Sequence, residues 1–425
     1  MNIHQATTEQ LQKWEQQLAA DFARYQSQGL QLDLTRGKPS SEQLSLSDQL
    51  DGCLEGNYLT ADGTDTRNYG GLSGITEARQ LGADILGVRL AEVSTQGNSS
   101  LTLMYLAMMI AKEFGFRGGD SAWKHSDGIK FICPVPGYDR HFTVCEQLGI
   151  AMVTVPMTAT GPDMDAVEAL VAGDPTIKGI WCVPKYSNPT GVIYSDDTVD
   201  RMAKLAKIAG DNFMIFWDNA YAVHDLDGVK PLANLMDACR QHNTEHSVIQ
   251  FASTSKITHA GAGVAFIAMS EDNLKQFHKI LGAMSIGPDK VNQLRHMRML
   301  PDSPALLAHM EKHAAVLKPR FDAVLNHLNE NFADSDLGQW QPAAGGYFIA
   351  FDSRPGLAKT IVKMAADLGV KLTPAGATFP YGNDPEDRNI RIAPSVPTLE
   401  QLNQAMEIFV LCVKLASVRQ ALEQR

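Results

Sequence analysis

Ser253-Thr254-Ser255-Lys256-Ile257-Thr258-His259-Ala260-Gly261-Ala262-Gly263-Val264 lies between two apolar runs of strand character, Val248–Ala252 and Val264–Met269. A lysine placed there, behind two hydroxyl residues and ahead of glycines, is unusual in a core. Two readings compete. Taken alone, Ser-x-Ser-Lys describes a surface lysine in a hairpin loop. The alternative is a lysine that holds a carbonyl cofactor as a Schiff base, with hydroxyls and glycine amides near a phosphate. The rest of the chain has to decide between them.

Upstream, strands and helices alternate. Apolar positions at helical spacing (Leu11, Trp14, Leu18, Phe22, Tyr25) predict an amphipathic helix over about 7–28. Leu32–Leu34 is extended and runs into the loop Thr35-Arg36-Gly37-Lys38-Pro39. A long polar loop over 57–74 precedes a helix over 75–87, and loops of that length are usually functional. Gly97-Asn98-Ser99-Ser100 opens an apolar helix to 114. Strands are expected at 130–133, 150–156, 177–183, 213–217 and 248–252, with helices between them. This order predicts an α/β fold with a mainly parallel sheet flanked by helices, its ligand residues gathered beyond the carboxyl ends of the strands. After about residue 300 the pattern changes to a long helix, 304–329, and a smaller α+β unit. The expected division is a large domain over 50–300 and a small one built from 1–49 and 301–425.

With 425 residues, 44% of them hydrophobic, the chain can bury a core of that size. The net charge of −11 argues against nucleic-acid binding by bulk electrostatics, while allowing a local basic pocket. Six scattered cysteines form no Cys-x-x-Cys pair, and Cys133 and Cys182 fall inside apolar runs. Buried free thiols in a reducing compartment fit this better than a disulfide framework. Leu101–Ala111, the longest apolar run, is too short to span a bilayer, and no apolar signal core opens the chain. A cytoplasmic protein without membrane or nucleic-acid partners is expected.

Asn-Pro-Thr-Gly and Asp-x-x-Tyr are each weak signals. Their order is specific: Tyr69, Gly97-Asn98-Ser99, Tyr138, Asn188-Pro189-Thr190-Gly191, Asp218-x-x-Tyr221, Ser253-x-Ser255-Lys256, Arg391. Over nearly the whole chain this resembles the fold-type I pyridoxal-phosphate enzymes, and among them the class I aminotransferases. The spellings at 35–39, 97–100 and 253–256 look like the bacterial aspartate aminotransferase subgroup Ic. The resemblance implies pyridoxal 5'-phosphate as cofactor, bound to Lys256, whose freed amine then moves the substrate proton. It also implies that Asp218 pairs with the pyridine nitrogen, and that Asn188 and Tyr221 hydrogen-bond the cofactor's phenolic oxygen. Tyr138 would stack on the ring. Asn98, Ser99 and Ser100 would bring helix N-terminal amides to the phosphate, helped by Ser253 and Ser255. Arg391 would grip the substrate α-carboxylate, with Gly37 alongside. Tyr69 would reach the phosphate of a second subunit, which makes a homodimer with shared active sites the expected assembly.

The resemblance has one gap. Where most class I enzymes carry a phosphate-binding arginine, this chain reads Ala262-Gly263-Val264. Arg36, Lys38, Lys290 and Arg295 are all candidates for a second substrate carboxylate. His309 and His313 stand one helical turn apart, but lack a third ligand and read as a solvated helix face, so no metal is expected. His259 stays unassigned. The implied activity is transfer of the amino group of an acidic L-amino acid, L-aspartate first, to 2-oxoglutarate. Aromatic or aminoadipate substrates, or lyase and decarboxylase chemistry on the same fold, are the alternatives. A regulatory aminotransferase-like protein is disfavoured, since no basic domain precedes Tyr69.

Overall fold

The Lys256 loop closes an antiparallel pair at one side of an eight-stranded sheet. The computed structural model describes residues 2–425. Its strands are β1 (Leu32–Leu34), β2 (Val93–Gln96), β3 (Lys130–Val135), β4 (Ala151–Thr158), β5 (Gly161–Pro162), β6 (Ile177–Cys182), β7 (Met214–Asp218), β8 (Val248–Ser253), β9 (Ala265–Met269), β10 (Gly338–Trp340), β11 (Ile349–Ser353), β12 (Val370–Leu372) and β13 (Asn389–Ile392). The large sheet runs β2-β9-β8-β7-β6-β3-β4-β5. Its centre, from β4 through β8, is parallel, and β9 turns back antiparallel against β8. The hairpin reading was therefore right about topology and wrong about the surface.

Central strands buried on both faces must be apolar throughout. β6, β7 and β9 are buried at every position. On one face Phe131, Trp181, Phe216 and Phe251 pack under the helix Ser100–Glu113; on the other, Ile180, Ile215 and Trp217 pack against Val199 and Met202. The strands thus end at a fixed height. Asp218 stands at the carboxyl end of β7 and Ser253 at that of β8, with Tyr138 and Asn188 in the loops after β3 and β6.

A second core joins both ends of the chain. Leu11, Leu32 and Leu34 pack with Phe321, Phe351, Ile392 and Phe409 from the C-terminal third. β1 pairs parallel with β12, and β10-β11-β13 form a separate antiparallel sheet. Helix Ser303–Phe332 is four residues longer than the expected 304–329, and a further long helix spans Leu399–Glu423. Helices Leu235–His242, Glu271–Leu281 and Lys290–Met299 had no sequence expectation. All six cysteines are free. Among the described residues, no helix is long and apolar enough to cross a membrane.

Candidate active site

Lys256 opens onto a cleft of about 700 Å³ between the carboxyl ends of the large sheet and the smaller antiparallel one. Gly37, Ser99, Ser100, Tyr138, Asn188, Asp218, Tyr221, Ser253, Ser255 and Arg391 line the same cleft. Residues more than two hundred positions apart in the chain thus meet around one amine. Asn98 and Tyr69 lie outside its lining.

The Lys256 amine has no hydrogen-bond partner among the described residues; it sits 5.3 Å from the Tyr221 ring centroid and 5.8 Å from that of Tyr347. Burial pushes its pKa below the ordinary lysine range, and the Asp218 carboxylate pulls the other way. Such an amine is more readily available as a neutral nucleophile. Burial, with Tyr138 and Asp218 nearby, raises the Tyr221 phenol well above its usual range, so it remains a donor.

Asp218 is 2% exposed. His141 Nε2–H donates to its Oδ2 at 2.9 Å, while Oδ1 is buried with no partner. A lone buried carboxylate oxygen is costly unless a donor completes it. His141 is itself clamped, stacked on Trp181 at 4.2 Å and 8° and edge-on to Tyr138 at 4.9 Å. The sequence reading did not single out His141. Its signal was the i, i+3 spacing from Tyr138 at the start of helix Asp139–Gln147.

Arg391, on β13, points its guanidinium into the cleft. Nε donates to Thr373 Oγ1 (3.3 Å), and Nη1 donates to Asn188 Oδ1 (3.3 Å) and to Asp139 Oδ1 (3.1 Å). The guanidinium lies over the Phe348 ring, 4.7 Å from its centroid. Gly37 abuts the edge of that ring: a Cβ there would collide with Phe348 Cζ. Only glycine fits.

At the other end, Ser99 caps helix Ser100–Glu113 by accepting the Thr102 N–H (3.4 Å). Ser253 donates to Ser255 (3.1 Å), which donates to the Asn98 carbonyl (3.2 Å). The Asn98 side chain is turned to the Gly261 carbonyl (3.1 Å). A Cβ on Gly263 would stand 2.9 Å from Thr254 Oγ1, which accepts the Val264 N–H at 2.8 Å.

Of the four cations named from sequence, only Arg36 lines the cleft; Arg140, not named, lines it beside Ser99 and Ser100. Neither guanidinium has a partner among the described residues. Lys290 is buried and donates to the carbonyls of Asn68 (2.8 Å) and Gly70 (2.6 Å), pinning the loop that presents Tyr69, itself 84% exposed. Arg295 and His259 share a different pocket with Asp48.

The expectation for His309 and His313 is corrected. Both are buried, and both direct Nε2 at the carbonyl oxygen of Ile257, the residue after Lys256, at 2.7 and 2.8 Å. Gln43 Nε2 donates to His313 Nδ1 (3.1 Å) and to the Tyr347 hydroxyl (2.9 Å), leaving the His313 proton on Nε2. No third His, Cys, Asp or Glu joins them among the described residues. Periodicity misled here because helix Ser303–Phe332 packs on this loop with a polar stripe. Burial lowers the pKa of His309, and burial with His309 beside it lowers that of His313 to about 4.

A profile of the aspartate amino-transferase family matches residues 6–425. An aspartate aminotransferase of Corynebacterium glutamicum is 43% identical over 419 residues, 98% of this chain and 96% of that one. The crystal structure of an aspartate transaminase from the same organism superposes with a TM-score of 0.96 at 42% identity, covering 99% of both chains. An α-aminoadipate aminotransferase of Thermus thermophilus, solved with N-(5'-phosphopyridoxyl)-L-leucine, shares the fold at 19% identity and a TM-score of 0.75, covering 94% of this chain and 95% of that one.

Proposed function

The chain belongs to the aspartate amino-transferase family, and we propose that it binds pyridoxal 5'-phosphate at Lys256 and moves the amino group of L-aspartate to 2-oxoglutarate. The observation that carries this reading is the orphaned Asp218 Oδ1, buried and without a partner on a residue that lines the cleft Lys256 enters. It is the acceptor a protonated pyridine nitrogen needs. When bound, the cofactor supplies a carbonyl for the lysine amine and a ring that takes up the electron pair left on the substrate Cα.

The chain's own residues do the rest. Asp218, oriented by His141, holds a proton on the ring nitrogen. With the cofactor bound, Lys256 would be the amine that moves the proton of the substrate Cα. Tyr221 and Asn188 supply hydrogen bonds at the cleft wall. Ser253, Ser255 and the amides opening helix Ser100–Glu113 suit a phosphate, and Arg140 stands in the wall beside them in place of the missing arginine. Arg391 takes the α-carboxylate. Arg36, next to Gly37, is the cation we assign to the second carboxylate of an acidic substrate.

The assignment extends to assembly and place. The small domain, residues 1–49 with 301–425, closes the cleft over the large one, 50–300. Exposed Tyr69, Met284 and Ile286 are apolar surface suited to a second copy of the chain, with Tyr69 reaching the partner's phosphate. A cytoplasmic homodimer is the form we expect.

The test is the absorption spectrum of the protein loaded with pyridoxal 5'-phosphate. A visible band that L-aspartate bleaches and 2-oxoglutarate restores supports the reading. A band that ignores aspartate and responds to another amino acid moves the substrate. No band at all overturns it.

A further inference from the structure

The guanidinium assigned to the substrate carboxylate is already engaged. Two of its five N–H groups go to neutral acceptors, Thr373 Oγ1 and Asn188 Oδ1, and a third goes to the Asp139 carboxylate at 3.1 Å. Nη2 has no partner among the described residues. A planar carboxylate binds arginine best through two parallel N–H bonds. A fork through Nη1 and Nη2 keeps the Nε bond to Thr373 and falls where the carboxylate of Asp139 already sits. Substrate and Asp139 are therefore like charges competing for one cation.

We propose that Asp139 is an internal carboxylate that holds Arg391 in the resting cleft, is displaced by the substrate's α-carboxylate, and returns as the 2-oxo acid product leaves. This rests on the reading of Arg391 given above. Three features make the exchange feasible. The Asp139 side chain is 34% exposed, against 8% for that of Arg391, so the carboxylate can swing into solvent while the guanidinium stays fixed. Arg391 remains held by Thr373, Asn188 and the Phe348 ring when Asp139 departs. Asp139 is also the first residue of helix Asp139–Gln147, where free N–H groups and the helix dipole favour a carboxylate that has lost its partner.

The consequence is kinetic. Displacing Asp139 costs the same for every α-carboxylate, so it weakens binding of amino acid and oxo acid alike without altering the transition state for proton transfer. It also keeps Arg391 from trapping product. A purely structural ion pair makes the opposite prediction: removing it would loosen Arg391 and weaken binding.

The experiment uses the holoenzyme. Calorimetric titration with maleate, a non-reacting dicarboxylate, is compared for the natural chain and Asp139→Asn, alongside steady-state KM values for L-aspartate and 2-oxoglutarate. Asp139→Ser, too short to reach the guanidinium and well suited to a helix start, serves if the amide variant does not fold. We expect maleate to bind about two- to fivefold tighter, the scale of a partly exposed ion pair. Both KM values should fall by the same factor. Adding Arg391→Ala should abolish the gain. Unchanged or weaker binding in the variants, with the natural chain still binding maleate, overturns the role of Asp139 and leaves the function standing. Loss of all maleate binding and all spectral response, in every chain, overturns both.

Discussion

His141 donates to one oxygen of Asp218 at 2.9 Å, and the other oxygen of that carboxylate is buried and free. The imidazole thus sets the carboxylate's orientation and leaves its other oxygen open to a further donor. Asp218→Asn removes the charge that keeps a ring nitrogen protonated, and kcat should fall about 10²- to 10³-fold. His141→Ala leaves the carboxylate in place but unanchored, so its loss should be smaller, about tenfold to a hundredfold. Measured kcat values in that order support the arrangement; a His141 effect exceeding that of Asp218 contradicts it.

Lys256→Ala should fold, since the amine has no protein partner to lose. Borohydride should no longer fix pyridoxal 5'-phosphate covalently at this position, and turnover should drop by about 10⁴-fold. Substantial residual transamination would mean that another group moves the proton.

Gly37→Ala places a methyl where the Phe348 ring lies. The ring must shift, and with it the surface on which the Arg391 guanidinium rests. KM for L-aspartate should rise about tenfold or more while thermal stability changes little. An unchanged KM would show that Phe348 yields without disturbing Arg391.

His313 ordinarily titrates near 6.5 and is lowered to about 4 in the folded chain. The unfolded chain therefore takes up a proton that the folded chain refuses. This group's contribution is fully present above pH 6.5 and is lost as pH falls toward 4, by at most on the order of 3 kcal/mol. The thermal midpoint should fall across that window, and His313→Gln should flatten the decline. Parallel curves for both chains would rule out this histidine as the source.

The alternation of strands and helices was legible because buried parallel strands must be apolar and short. That Gly37, Tyr138, Asn188, Asp218, Tyr221 and Arg391 line one cleft with Lys256 was legible because the family resemblance names chemically distinct residues in a set order. Contacts made by ordinary-looking residues were not. His141 and Asp139 flank a recognised tyrosine, yet their roles appear only when β7 brings up Asp218 and β13 brings up Arg391. His309 and His313 looked solvated because helical periodicity reports a polar stripe without saying what that stripe faces. Lys290, a plausible substrate cation by charge alone, is spent on two loop carbonyls.

The loop carrying Lys256 is fastened by parts of the chain made long before and after it. The histidines that reach the Ile257 carbonyl lie 52 and 56 residues downstream, and the glutamine that fixes one of them lies 270 residues upstream of its partner. Closing contacts over such separations comes late, after local structure has formed. A chain still emerging from the ribosome with the sheet complete but the long helix unmade would hold its lysine on an unanchored loop. On the proposed function, the lysine loop is therefore complete only once the helix bearing His309 and His313 has been made and packed.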